Sequence, residues 1–169
     1  LIVILVVFRK DFIKILKALA RRDFRSEDGK LAICILIGTI PIAVVGVVFY
    51  DTINALFQDA AAVSIALLIM GFILFTSERR ENTKKLGFLD SLYIGIAQAI
   101  ALVPGISRSG AIISTGLLRG VEKEKAFKYS FLLSAPAILG ASVYEIYKIR
   151  DTIQGVNWTA LFFGVIASM

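Results

Sequence analysis

The chain has 169 residues, 57% of them apolar, with a net charge of +6 and a mean hydropathy of +0.80. A soluble domain of this length does not carry so much apolar sequence in long blocks, so the composition predicts an all-α, polytopic membrane protein. Histidine is absent, which excludes a histidine phosphoenzyme and His-rich metal sites from these residues. Cys34 is the single cysteine, and we interpret it as a small buried hydrophobic residue.

Five apolar segments are predicted to be membrane spans, and a sixth is divided by a polar turn. The predicted spans are residues 1–8, 31–49, 60–77, 129–147 and 158–169, and the divided segment is residues 88–118. The whole sequence is expected to be a single membrane domain, 1–169. Because Leu1 and Met169 each lie within an apolar run, we expect a fragment truncated at both ends.

Lysine and arginine are concentrated in three of the segments between the apolar ones. Eight fall in residues 9–30, four in 78–87 and four in 119–128, all interpreted as loops. Residues 50–59, which contain no Lys or Arg, are interpreted as a short turn. The positive-inside rule places such segments on the cytoplasmic side, where they face an anionic leaflet. All three can lie there only if residues 88–118 enter and leave by the same face. The charge count therefore predicts a re-entrant helix–loop–helix with arms of about 15 residues, and it accounts for the positive charge without nucleic-acid binding.

An arginine lies in the turn of the divided segment, within the sequence PGISRSG of residues 104–110. A charged side chain at membrane depth costs about 2.5–3.5 kcal/mol on insertion scales, so it indicates a functional site. Pro104 and Gly105 would end the first half-helix, and the N–H groups of a second half-helix, beginning near Ser109, would face a bound anion. The catalytic candidates are Ser107, Arg108 and Ser109, and the substrate-binding candidates are Gly105, Arg108, Gly110 and Gln98.

Several alternatives stay open for these residues. Arg108 could instead snorkel, or pair with a carboxylate in a polar kink, and Gln98 could be an interhelical hydrogen-bond link. Irregular backbone at membrane depth predicts that residues 105–110 line a cavity. Pro41 and Pro136, inside two spans, could be packing kinks or could line this cavity. A re-entrant arginine loop also suits an anion channel or secondary transporter. No pair of carboxylates lies inside an apolar segment, so these residues supply no evident metal ligands and resemble half of a hydrolytic site.

At this turn the sequence resembles the undecaprenyl-diphosphate phosphatase family of the bacitracin-resistance type. The family signature is Pro-Gly-x-Ser-Arg-Ser-x-x-Thr, and the matching residues are Pro104, Gly105, Ser107, Arg108 and Ser109. Ile112 stands where the signature has Thr, and Ser114 or Thr115 could substitute for that hydroxyl. Further segments resemble the family in the same order: residues 38–41, 51–53, and 130–133 followed by Pro136 and Gly140.

The resemblance implies a multi-pass plasma-membrane enzyme built from two inverted halves, each with a re-entrant helix pair. It would hydrolyse undecaprenyl diphosphate to undecaprenyl phosphate and inorganic phosphate, recycling the lipid carrier for cell-wall synthesis, and Arg108 would bind the diphosphate. The nucleophile would be Ser107, Ser109 or water.

The family's other motif is an acidic pair associated with a divalent cation, Mg²⁺ or Ca²⁺, and it is not among these residues. The fragment alone is therefore expected to be inactive. The expected partners are a polyprenyl diphosphate lipid substrate and membrane lipids, without nucleic acid, and no oligomeric state is predicted. The resemblance suggests a cavity open to the outer face.

Overall fold

The computed structural model describes residues 2–57, 60–77, 83–149 and 158–167. Every regular element within these ranges is a helix, and the one β-bridge there is isolated. The helices are α1 Ile2–Val7, α2 Arg9–Ala20, α3 Glu27–Val48, α4 Tyr50–Leu56, α5 Ala60–Ser77, α6 Phe88–Ile100, α7 Arg108–Leu118, α8 Lys123–Ile149 and α9 Trp158–Ala167. By length and hydropathy, α3, α5 and α8 could each cross a membrane. The prediction of an all-α polytopic membrane protein is confirmed.

The segment of residues 9–30 is not the loop that its charge suggested. It forms α2 and the first turn of α3, because apolar residues recur at helical spacing in α2 and because Ser26 caps α3. The Ser26 hydroxyl accepts a hydrogen bond from the Gly29 N–H at 3.1 Å. Glu27 and Asp28 follow in the first turn, where carboxylates complement the helix dipole.

Two other predicted loops are also partly helical. Residues 50–59, interpreted as a short turn, contain α4, and residues 119–128 contain the first residues of α8. In α4 the Tyr50 ring packs edge-on against Tyr144 of α8, and at the start of α8 the buried Ala126 packs with Leu117 of α7. The loop predicted at 78–87 is described only from residue 83, and residues 150–157 lie outside the described ranges.

The three Lys- and Arg-rich segments lie together at one end of the bundle, which we call the basic end. Lys128 Nζ lies 2.7 Å from Asp11 Oδ1, which joins the start of α8 to α2. Lys85 Nζ lies 2.8 Å from Glu27 Oε1, which joins the chain before α6 to the start of α3. The helices α3 and α8 both begin at this end. Its location on the cytoplasmic side of a membrane stays a prediction.

Helices α6 and α7 form a hairpin whose two ends meet at the basic end. The Lys84 N–H donates to the Gly120 carbonyl and the Glu122 N–H donates to the Lys84 carbonyl, both at 3.1 Å. Residues 88–118 therefore enter and leave the bundle at one end, as the charge count requires. With 13 residues, α6 is about 20 Å long, against about 33 Å for the 22 residues of α3, so the hairpin turn lies within the bundle. Its depth in a membrane stays a prediction.

Small residues bring the hairpin close to α3. A Cβ atom on Gly95 would lie 2.5 Å from the Gly38 carbonyl oxygen, so the two backbones are in direct contact. Beside this crossing, the Tyr129 hydroxyl donates a hydrogen bond of 2.7 Å to the Cys34 carbonyl. Cys34 is buried in the main apolar cluster, as predicted. The close contact fixes how α6, and the turn that follows it, lie against α3 and α8.

Candidate functional site

The hairpin turn needs glycine at residue 105 for two reasons. Gly105 adopts φ +92°, in the left-handed region that side chains other than glycine rarely adopt. A Cβ atom there would also lie 2.4 Å from the Val63 carbonyl oxygen of α5. The turn is therefore held against α5, which fixes the point where α7 begins.

Ser107 caps the N-terminus of α7, so the second half-helix begins at Arg108, one residue before the predicted start at Ser109. The Ser107 hydroxyl accepts a hydrogen bond from the Gly110 N–H at 3.2 Å. It also lies 3.4 Å from the Ser109 hydroxyl, and both serines are exposed. The turn thus brings two hydroxyl groups to the positive end of a helix dipole.

Arg108 is half-buried and lines a cavity of about 280 Å³ between α7, α3, α4 and α8. Most of the lining side chains are apolar, and the polar ones are Thr39, Tyr50, Asn54, Arg108 and Glu145. Among the described residues no carboxylate forms an ion pair with Arg108, so the alternative of a structural pair finds no support there. A partly desolvated guanidinium without a counter-ion attracts an oxyanion, which it can bind through two parallel N–H groups.

One rim of the cavity is a polar contact between α4 and α8. The Tyr50 hydroxyl donates to Glu145 Oε2 at 2.7 Å, and this hydrogen bond raises the pKa of the Tyr50 phenol above its ordinary value. Lys148 Nζ lies 3.6 Å from the centre of the Tyr50 ring and 3.1 Å from Asp51 Oδ1. Among the described residues that line the cavity, Glu145 is the only carboxylate, and it is already hydrogen-bonded to Tyr50.

Of the remaining predicted residues, one lines the Arg108 cavity and the others do not. Gln98 is fully buried, is not among the residues lining the Arg108 cavity, and its amide has no hydrogen-bond partner within the described residues. Its role in binding substrate therefore stays a prediction. Of the two helix prolines, Pro136 lines the cavity and Pro41 does not.

The Thr position of the family signature is occupied by a core residue. Ile112 is fully buried in the main apolar cluster, one helical turn after Arg108. The two hydroxyl residues considered as substitutes, Ser114 and Thr115, line a second and mostly apolar cavity of about 610 Å³ between α5 and the hairpin. Neither is among the residues that line the cavity containing Arg108.

Sequence reasoning missed most of the polar cavity wall. Thr39 lies in the 38–41 segment that resembles the family, and this resemblance is the signal that could have found it. Asn54 and Glu145 carry no such signal, because only the packing of α4 against α8 brings them to the cavity. Across the described ranges, no three His, Cys, Asp or Glu side chains are grouped as a metal site would require.

Comparison with known proteins gives the family. A family model described as "Bacitracin resistance protein BacA" matches residues 1–169. A protein of Carboxydothermus hydrogenoformans named "Undecaprenyl-diphosphatase" is 37% identical over 176 residues, covering 100% of this chain and 64% of that protein. One of Streptomyces griseus with the same name is 36% identical, covering 98% of this chain and 63% of that protein.

A relative from Methanothermobacter thermautotrophicus, also named "Undecaprenyl-diphosphatase", is 52% identical over 130 residues, which are 73% of this chain and 70% of that protein. The chain thus spans less than two thirds of the length of the first two relatives, at 64% and 63%. The match over the whole sequence includes both arms of the hairpin, the Arg108 turn and the walls of the cavity. The chain therefore belongs to the family of bacitracin resistance protein BacA.

Proposed function

We propose that this protein hydrolyses undecaprenyl diphosphate to undecaprenyl phosphate and inorganic phosphate. The observation that carries the proposal is the guanidinium of Arg108, which has no counter-ion among the described residues, in a mostly apolar cavity. A cation at the N-terminus of a helix, beside apolar walls, suits a diphosphate on a long apolar chain. The names of the relatives support this substrate and favour the hydrolase over the anion channel or transporter.

In the proposed reaction, the bridging P–O bond breaks and one water molecule is consumed. The oxygen of the attacking group bonds to the terminal phosphorus, and undecaprenyl phosphate leaves with the bridging oxygen. Arg108 and the first N–H groups of α7 would donate to the non-bridging oxygens, where negative charge develops. The hydroxyls of Ser107 and Ser109, 3.4 Å apart, would bind the same phosphate. Attack by one of these serines and direct attack by water are both compatible with this arrangement.

The divalent cation that the family resemblance implies remains a proposal. The residues of the Arg108 cavity do not fit such an ion, because their single carboxylate, Glu145, is hydrogen-bonded to Tyr50. Mg²⁺ and Ca²⁺ require several oxygen ligands in one place. We therefore assign no ligand and no reaction step to a metal among these residues.

We further propose that the protein lies in the plasma membrane with the basic end on the cytoplasmic side. The Arg108 cavity is lined by the second halves of α3 and α8 and by α4, away from that end. By the positive-inside rule, the cavity would then lie toward the outer face. There the reaction would return the lipid carrier for cell-wall synthesis.

Phosphate release from undecaprenyl diphosphate by the full natural protein in detergent tests the proposal. We compare wild type with Arg108→Ala and Arg108→Lys, and we use Arg25→Ala, which removes an exposed arginine, as the matched control. Loss of one electrostatic donor typically lowers the rate by a factor of about 10²–10³, so Arg108→Ala should release phosphate at least about 10² times more slowly than wild type. The rate of Arg108→Lys should lie between those of wild type and Arg108→Ala, because lysine keeps the charge but lacks the planar guanidinium with its parallel N–H groups.

The outcomes separate the candidate functions. Wild-type phosphate release with the expected loss in both Arg108 variants, and none in the control, supports the hydrolase. Activity that survives Arg108→Ala in a folded protein would make this residue structural. A folded wild type that releases no phosphate, but carries anions across proteoliposomes, would replace the hydrolase with the transporter.

A further inference from the structure

Helix α2 presents three different faces, and only one of them packs on the protein. Ile15 is buried in the main apolar cluster, and Phe12 and Leu19, on the same face, pack against it. A second face carries Ile13 and Leu16, which are 50% and 63% exposed. Exposed apolar side chains on a helix beside membrane-spanning helices indicate contact with acyl chains rather than with water.

The third face is a stripe of four exposed cations, which we call the cationic stripe. Its members are Lys10, Lys14, Lys17 and Arg21. Their spacing of three or four residues places them one above the next along the helix. Like charges at this spacing destabilise a helix by a few tenths of a kcal/mol per pair. The arrangement is therefore unfavourable unless an anionic partner lies along it.

The described residues do not supply that partner. No ion pair involves a member of the cationic stripe within the described part of the chain, whereas several other lysines of the basic end are paired. Lys85 binds Glu27, Lys125 binds Glu122, and Lys128 binds the one acid within α2, Asp11. The stripe thus keeps its charge available at the surface.

We propose that α2 is an interfacial helix that binds anionic phospholipids of the phosphatidylglycerol type, with headgroup phosphates along the cationic stripe. At about 100° per residue, the stripe and the exposed apolar face lie side by side, centred roughly 100° apart. A lipid can therefore contact both at once, with its acyl chains on Ile13 and Leu16 and its phosphate on the lysines. This lipid is distinct from the proposed diphosphate substrate, because α2 is at the basic end and the Arg108 cavity is not.

The test measures lipid binding to the detergent-solubilised protein by native mass spectrometry. Phosphatidylglycerol and phosphatidylcholine are added in separate experiments. The variant K10Q/K14Q/K17Q removes three charges from the stripe. Each basic residue near an anionic surface contributes about a fivefold change in affinity. We therefore expect phosphatidylglycerol to bind the variant at least tenfold more weakly and phosphatidylcholine to bind it as before.

The matched control, K30Q/K85Q/K125Q, removes the same charge from exposed lysines of the basic end that lie outside the stripe. It should bind phosphatidylglycerol like the wild type. An equal loss in the control, or unchanged phosphatidylglycerol binding in the stripe variant, overturns the proposal. Loss of both lipids in the stripe variant also overturns it, since removing charge from a site for an anionic headgroup should weaken phosphatidylglycerol binding and leave phosphatidylcholine binding unchanged.

Further measurements keep the proposal testable if the glutamine variant does not fold. K10R/K14R/K17R keeps the charge and should retain the lipid. In the wild type, raising the salt from 0.1 to 1 M shortens the screening length from about 10 to about 3 Å. This should weaken the binding of phosphatidylglycerol more than the binding of phosphatidylcholine. Soluble glycerol phosphate should not displace the lipid, and Leu16→Ser should weaken its binding. Displacement by glycerol phosphate, or binding insensitive to salt, would refute a membrane-lipid site.

Discussion

Replacement of Gly95 by alanine tests whether the backbone contact between α3 and α6 positions the arginine site. The new Cβ would lie 2.5 Å from the Gly38 carbonyl oxygen and 2.9 Å from its Cα, and neither backbone atom can rotate away. Ordinary contact begins at 3.4 Å, so the helices must separate by about 0.9 Å, the difference between 3.4 and 2.5 Å. Overpacking of this kind typically costs about 1–3 kcal/mol of the free energy of unfolding.

The separation should also affect the reaction, because α6 leads directly into the turn that precedes Arg108. Displacement of reacting groups by about 1 Å can cost a factor of about 10² in rate. Thermal unfolding in detergent and phosphate release measure the two effects. The control is Gly71→Ala in α5, where no atom lies within 4 Å of the new Cβ and alanine should stabilise the helix by about 0.5–1 kcal/mol. If Gly95→Ala unfolds at the wild-type temperature with the wild-type rate, the contact does not position the site.

Three further substitutions test the hairpin. Gly105→Ala should destabilise more than Gly120→Ala, since both adopt a left-handed φ but only the first adds a clash, at 2.4 Å; equal melting temperatures would refute this. Asp90→Asn should lower the unfolding free energy by about 1–2 kcal/mol, because this buried carboxylate binds two partly exposed cations. A smaller change in a denaturant titration would contradict this expectation. Ser107→Ala removes the cap on the Gly110 N–H and should cost about 1 kcal/mol, also by denaturant titration; an unchanged midpoint would argue against the cap.

The sequence was sufficient for features that depend on apolar blocks and on charge. Hydropathy predicts the three long helices because a span must be continuously apolar over about 20 residues. The distribution of lysine and arginine predicts that residues 88–118 return to the end at which they enter, and the bridge from Lys84 to Val121 has this geometry. The prediction of a loop over residues 9–30 was wrong because a high density of charge does not exclude a helix, and Phe12, Ile15 and Leu19 repeat at helical spacing in α2.

The polar wall of the cavity could not be predicted because it depends on which helix faces meet. Thr39 and Glu145 are more than 100 positions apart in the sequence, and they line one cavity because α3 and α8 run side by side from the basic end. The packing of helix faces also decides the environment of Ile112. This residue lies one turn after Arg108 on the same face of α7, but it is buried in the main apolar cluster. A helix turns by about 100° and rises by about 1.5 Å per residue, so Ser114 lies on nearly the opposite side of α7 from Ile112, and Thr115 lies about 4.5 Å further along the helix. Both line the second cavity and neither lines the one that contains Arg108. The cavity that a side chain reaches therefore depends on its face and on its level along the helix.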